Sequence, residues 1–229
     1  VTCHLFLWNS TSGMQDIGFP AGAFVAGVSG INNAGTAAGG YIRGADFTPR
    51  SYIWTSLGGF RDLGIPQSEA AGINNKGHVV GRYNVACVFC DSGHAFLWDR
   101  DGVRDLGTLP GQAFSYGWAL NVHDQVVGFS GPYAFLWTKT TGMLNLNDLI
   151  DSSSGWQLYF AAGINAKGQI VGRGLLNGEE HGALGLLDLV VRKSIRIGNG
   201  YNLGDDHSGH CETCRQGLQR RHIQLSQKS

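Results

Sequence analysis

The chain repeats one sequence pattern four times with small variations. Each copy has an aromatic segment that ends in Trp, a turn, Asp-Leu-Gly, then Gly-Ile-Asn, another turn and Val-Val-Gly. The Trp copies lie 46, 44 and 39 residues apart, and the Asn copies lie 42, 47 and 44 residues apart. These residues are Trp8, Trp54, Trp98 and Trp137, and Asn32, Asn74, Asn121 and Asn165. A period of this length, built only of short strand patterns, has the size of one four-stranded propeller blade.

The third copy shows the strand patterns most clearly. Residues 94–98 are mostly aromatic and aliphatic, Asp101 and Gly102 favour a hairpin turn, and residues 103–107 alternate apolar and polar side chains. No stretch of the repeats keeps the 3.6-residue spacing of a helix over three turns. We therefore predict an all-β fold, a small β-propeller of four to five four-stranded blades, followed by an irregular C-terminal tail.

The side-chain sizes predict the order of strands within a blade. Small residues in segments such as 69–74 and 160–165 suit the crowded axis of a propeller, and the aromatic strands suit its periphery. Residues 4–17 are then two outer strands and residues 158–172 two inner strands. We expect these ends to pair and close the ring, or residues 180–184 to replace the N-terminal strands or open a fifth blade. An open array and a piece of a longer propeller are the alternatives.

The charge distribution separates two predicted domains, 1–188 and 189–229. The first holds 10 Lys and Arg against 14 Asp and Glu, a net charge of −4, and the second holds 7 against 3, a net charge of +4. An acidic repeat domain offers no basic face to a phosphate backbone, so we expect no nucleic-acid partner. No run of about 18 apolar residues is present, so we expect no transmembrane segment. The basic tail has the composition of a solvated or disordered end.

Three segments of the third copy carry a family resemblance. Residues 94–98 read His-Ala-Phe-Leu-Trp, residues 105–109 read Asp-Leu-Gly-Thr-Leu, and residues 121–128 contain the Asn turn and Val-Val-Gly. Together they resemble the HAF repeat, a family of bacterial repeats, over about residues 3–187. The resemblance implies an extracellular or periplasmic location and a repeated β architecture. It implies no catalytic residue.

Six side chains are candidates for ligand binding. They are Asn32, Asn74, Asn121, Asn165, Trp118 and Trp156. A ring of Asn amides at one mouth of a propeller channel would bind a sugar, a carboxylate or a cation. In the alternative, each Asn is a turn residue that tolerates left-handed φ and bonds its own backbone. Trp118 and Trp156 lie off the repeated Trp positions and would stack on a sugar or an apolar ligand if they face a mouth of the channel.

Two groups of residues are candidates for metal binding. Asp99, Asp101 and Asp105 supply the oxygen ligands that calcium prefers, with a simple Asp-Gly turn as the alternative. The tail places the zinc-type ligands His207, His210, Cys211 and Cys214 within eight residues. Cys87, Cys90 and His94 would add ligands if the tail folds back. A flexible tail or a local disulfide are the alternatives to zinc.

The function predicted from these patterns is binding. We expect a secreted, non-enzymatic propeller that recognises a glycan, a peptide or a small ligand across one face. The alternative is a calcium-dependent propeller hydrolase that activates water toward an ester or a lactone. A truncated piece of a longer surface protein is the third hypothesis. The sequence contains neither a Gly-x-Ser-x-Gly nucleophile elbow nor a phosphate-binding glycine loop.

Overall fold

The computed structural model describes residues 4–84, 92–181 and 186–187. All of them lie in the first of the two units into which the chain divides, Val1–Val191 and Arg192–Ser229. These residues form antiparallel strands and two short 3₁₀ helices, without an α-helix among them. The all-β prediction is therefore confirmed. In the same part of the chain, no helix has the length and apolar character needed to cross a membrane.

The strands form one two-stranded sheet and four four-stranded sheets, which we number I to IV in chain order. The two-stranded sheet pairs β1 (Leu5–Asn9) with β2 (Gly13–Gly18). Sheet I contains β3 (Ala23–Ile31), β4 (Ala37–Arg43), β5 (Pro49–Thr55) and β6 (Gly59–Pro66). Sheet II contains β7 (Ser68–Ile73), β8 (Val79–Asn84), β9 (Gly93–Asp99) and β10 (Gly102–Gly107).

Sheet III continues the same plan, and sheet IV follows it in its first two strands. Sheet III contains β11 (Ser115–Leu120), β12 (Val126–Ser130), β13 (Tyr133–Thr138) and β14 (Gly142–Asn145). The 3₁₀ helices Leu146–Leu149 and Ser152–Ser154 lead into sheet IV. Sheet IV contains β15 (Trp156–Ile164), β16 (Ile170–Leu176), β17 (Glu179–His181) and β18 (Leu186–Leu187), with both short strands paired to β16. The four-stranded unit predicted from the sequence period is thus confirmed.

Each sheet begins at one edge with the strand that precedes a recurring Asn. We call these strands, β3, β7, β11 and β15, the first strands. A β-bulge interrupts each of them at the same place, such as between Gly117 and Ala119 in β11. Next to the bulge, a Cβ on Gly128 of β12 would lie 1.9 Å from the carbonyl oxygen of Tyr116. The equivalent distances at Gly39, Gly81 and Gly172 are 2.1, 2.0 and 2.1 Å. The glycine of Val-Val-Gly therefore recurs because the bulged strand leaves no room for a side chain.

Neighbouring sheets pack face to face in chain order. The first strand of each sheet from II to IV contacts the second and third strands of the sheet before it. The II–III junction buries apolar side chains from both sheets, including Val80, Leu97, Leu120, Val126 and Phe135. Burial of this apolar area is the main stabilising contribution to a stack of short sheets.

The N-terminal end of the array differs from its interior. Trp54, Trp98 and Trp137 are each 7% exposed, whereas Trp8 on β1 is 61% exposed. The interior Trp residues are covered by the preceding sheet, and no described strand precedes β1. Of the two expectations for the edge of the last sheet, the described residues agree with the second, in which the segment that begins at residue 180 takes the place of residues 4–17. Among the described residues, β1 pairs with β2 only, and residues 179–181 and 186–187 occupy the edge of β16 instead.

Candidate ligand-binding site

The four recurring Asn residues form a line of amides across sheets I to IV. Asn32 Nδ2 donates to the carbonyl oxygen of Asn74 at 3.1 Å, and Asn74 Nδ2 donates to that of Asn121 at 2.9 Å. Asn121 Nδ2 donates to the carbonyl oxygen of Asn165, again at 2.9 Å. We call this arrangement the amide ladder. It ties every sheet to the next at the C-terminal ends of the first strands.

The same side chains also close their own turns. Asn74 Oδ1 accepts hydrogen bonds from the backbone N–H groups of Lys76 and His78, both at 3.0 Å, and the other three Asn residues accept from the equivalent N–H groups. Asn74 and Asn121 are buried. The Asn side chains therefore stabilise their own turns by bonding the backbone, as the alternative interpretation expected. Ligand binding by these side chains stays a prediction.

Asp124 adds a polar contact between sheets II and III at this end. It occupies the turn position that is glycine in the other three copies, with φ of +60°. Its carboxylate lies 2.8 Å from Asn74 Nδ2, Lys76 Nζ and His78 Nδ1. Burial alone would raise the pKa of Asp124, but hydrogen bonds from Lys76, His78 and Asn74 lower it below its ordinary value. The carboxylate is thus held ionised between two sheets.

The three aspartates of the predicted calcium site do not come together. Asp99 Oδ1 accepts the N–H of Asp101 at 2.9 Å within the hairpin turn. Asp105 lies three residue pairs further along the strand, where it bonds His94 Nδ1 at 2.9 Å and the N–H of Gly107 at 2.8 Å. No three His, Cys, Asp or Glu side chains of the described residues are grouped to hold a metal. The hydrolase alternative therefore gains no metal site from these aspartates.

The contact of His94 with Asp105 explains part of the repeat. His4 Nδ1 lies 2.6 Å from Asp16 Oδ2 in the first copy, so the His of the aromatic strand and the Asp of Asp-Leu-Gly form a cross-strand pair. Hydrogen bonds from His4 and from the N–H of Gly18 lower the pKa of Asp16. The predicted zinc ligands in the tail, together with Cys87 and Cys90, lie outside the described residues.

One position in each first strand carries a different side chain in every sheet. It lies five residues before the recurring Asn and pairs with the residue that follows the glycine of Val-Val-Gly on the second strand. The pairs are Gly27 with Gly40, Glu69 with Arg82, Tyr116 with Phe129, and Phe160 with Arg173. We call these eight residues the variable row. Its first-strand members precede the Asn residues of the amide ladder by five positions in every copy.

Aromatic side chains cluster at sheets III and IV of this row. The Trp118 ring centre lies 5.3 Å from that of Tyr116 and 5.1 Å from that of Phe160, the latter edge to face. The Phe129 ring lies 5.7 Å from both Tyr116 and Phe160. Trp118 is 42% exposed, and burial raises the pKa of the Tyr116 hydroxyl, which stays neutral. These four rings, the aromatic platform, present the side chain of Trp118 to solvent.

Two guanidinium groups flank the aromatic platform. The Arg82 guanidinium carbon lies 5.6 Å from the centre of the Tyr116 ring, and that of Arg173 lies 5.8 Å from the centre of the Phe160 ring. Both distances are typical of cation–π contacts. Arg82 Nε also lies 3.8 Å from a carboxylate oxygen of Glu69, whereas Arg173 forms no ion pair with any described residue.

Two cavities adjoin these features. A groove of about 480 Å³ lies between sheets I and II. Gly27 and Gly40 leave this space open, whereas the equivalent positions of sheet III carry the rings of Tyr116 and Phe129. A second cavity of about 530 Å³ lies between sheets III and IV and is lined by Tyr133 and Trp156, among others. The structure therefore places the two predicted tryptophans at separate sites, with Trp118 on the aromatic platform and Trp156 in a cavity.

No family model, curated protein or solved structure matches this chain. The site therefore rests on the geometry described above. Sequence analysis predicted Trp118 but missed Tyr116, Phe129, Phe160 and Arg173. A signal for Phe129 and Arg173 was available in the repeats, because the glycine of Val-Val-Gly recurs in every copy while the residue after it differs in sheets I to III.

Proposed function

We propose that the chain is a carbohydrate-binding repeat protein whose ligand stacks on the aromatic platform. The observation that carries this proposal is the exposed side chain of Trp118, supported by Tyr116 and Phe160. A large aromatic side chain loses favourable burial when it is exposed, and the neighbouring rings fix its orientation in advance of binding. Sugar rings have apolar C–H faces that match such a surface, and binding needs no catalytic group.

The proposal includes a propeller arrangement of sheets I to IV. Two observations support it, namely the side-by-side contacts of successive first strands and their packing on the second and third strands of the preceding sheet. In blades about a common axis the first strands are neighbours in this way. The HAF-repeat resemblance supports the extracellular location that we include in the proposal.

Binding to a panel of immobilised and soluble glycans tests the function. We expect Trp118→Ala to weaken the affinity about tenfold or more, since truncating a central aromatic side chain costs about 1–2 kcal/mol of binding free energy or more. Trp8→Ala is the matched control, because it removes an equally large exposed ring outside the platform. Equal affinities of the two variants for every bound glycan, or a wild-type protein that binds no glycan, would contradict the proposal.

A further inference from the structure

The two arginines that flank the aromatic platform differ in whether a nearby carboxylate balances their positive charge. Arg82 has the Glu69 carboxylate 3.8 Å away, so part of its charge is balanced within sheet II. Arg173 lies over the Phe160 ring, and no carboxylate of the described residues lies within 4 Å of its guanidinium, because the nearby Glu180 accepts the hydroxyl of Tyr159 at 2.7 Å. Its guanidinium has fixed donor geometry and is exposed beside the aromatic platform. Two parallel N–H donors of a planar guanidinium match the two oxygens of a carboxylate.

From this asymmetry we propose that the bound carbohydrate is acidic and places a uronic acid carboxylate on Arg173. The inference rests on the proposed function and names its ligand class. The sugar ring stacks on Trp118, and the carboxylate reaches the guanidinium that is held one ring away, over Phe160.

The variable row also gives the ligand a direction. Glu69 lines the groove at Gly27 and Gly40, and its carboxylate lies 3.8 Å from Arg82, so the charges at that end are partly balanced and offer less attraction to an anion than Arg173 does. The repeat domain has a net charge of −4, so the attraction of an anionic sugar is local to Arg173 rather than a property of the whole surface. Uncharged units of the same ligand would occupy the side of Glu69.

Calorimetric titration with tetragalacturonate and with its fully methyl-esterified form tests the inference. The two probes have the same ring faces and differ in charge. We expect the wild-type chain to bind the acid about tenfold more tightly than the ester, with a preference that shrinks as NaCl is raised. Arg173→Gln should remove the preference while keeping the affinity for the ester.

Arg61→Gln is the matched control variant. Arg61 also stacks on a ring, with its guanidinium carbon 5.7 Å from the centre of the Trp98 ring, but it lies outside the variable row. The control should keep the full preference for the acid. A preference that survives Arg173→Gln, or that Arg61→Gln removes equally, would overturn the inference.

The outcomes also separate the inference from the proposed function. Equal wild-type affinity for acid and ester, both lost in Trp118→Ala, would overturn the acidic ligand and leave carbohydrate binding intact. Absence of binding to both probes would also overturn the inference, and the wider glycan panel would then decide the proposed function by itself.

Discussion

Two positions along the first strands differ in how far they vary between copies. Directly after each strand stands an Asn that closes its own turn, and in sheets I to III its amide also bonds the next sheet. Five residues earlier, the side chains range from paired glycines in sheet I to paired aromatic rings in sheet III. A residue that bonds one sheet to the next needs the same side chain in every copy, so it recurs. Positions in the variable row differ from copy to copy, and they include the exposed Glu69, Arg82 and Arg173 beside the buried Tyr116, so this is where we propose that the ligand binds.

The largest effect expected from this comparison is at a recurring glycine. Gly128→Ala would place a Cβ 1.9 Å from the Tyr116 carbonyl oxygen, so we expect the free energy of unfolding to fall by about 3 kcal/mol. Gly27→Ala is the control in the variable row, since its Cβ would meet no atom within 4 Å, and we expect a change below about 1 kcal/mol. Urea denaturation measures both. Equal losses would mean that the row is as constrained as the recurring positions.

The next effect is in the amide ladder. Asn121→Ala removes buried hydrogen bonds to the carbonyl oxygen of Asn165 and to two N–H groups of its own turn, and we expect a loss of about 2 kcal/mol. Asn165 is exposed, and within the described part of the chain its amide donates to Gln169 of its own turn and to no other sheet, so Asn165→Ala should cost about 1 kcal/mol or less. Urea denaturation compares the two variants. A larger loss for Asn165→Ala would contradict the role of the ladder between sheets.

The smallest effect concerns Asp124 and depends on pH. Because its pKa is lowered in the folded state, the ionised carboxylate contributes stability above its unfolded pKa, and this contribution is lost as pH falls through the folded pKa. Asp124→Asn should therefore be less stable than wild type at neutral pH, with a difference that shrinks below about pH 4. Melting temperatures across this pH range measure it. A constant difference would mean that the contacts with Lys76 and His78 do not depend on the charge.

The sequence predicted the fold better than the site, for physical reasons. A strand repeat constrains hydrogen-bonded pairing within a sheet, so the four-stranded unit followed from the spacing of Trp and Asn. The end of the array followed only in part, because the sequence left residues 4–17 and residues 180–184 as alternatives for the edge of β16. That edge pairs with residues 179–181 and 186–187, which have diverged from the aromatic strand pattern. The calcium prediction treated proximity in sequence as proximity in space, although Asp105 lies along a strand, away from the turn of Asp99.

The aromatic platform was harder still to predict. It joins Tyr116 and Trp118 of β11 to Phe129 of β12 and Phe160 of β15, and these contacts depend on strand register and on the packing of sheet III against sheet IV. The bulge between Gly117 and Ala119 changes the direction of the strand at Trp118, which a simple alternation pattern does not capture.

The most direct test of the account is an NMR titration of the ¹⁵N-labelled chain with tetragalacturonate. We predict that the indole N–H of Trp118 and the backbone amides of the variable row shift in sheets III and IV, while the turns of Asn74 and Asn121 stay unchanged. Shifts concentrated in the Asn turns, or in the cavity at Trp156 with Trp118 unaffected, would contradict the assignment of binding to the variable row.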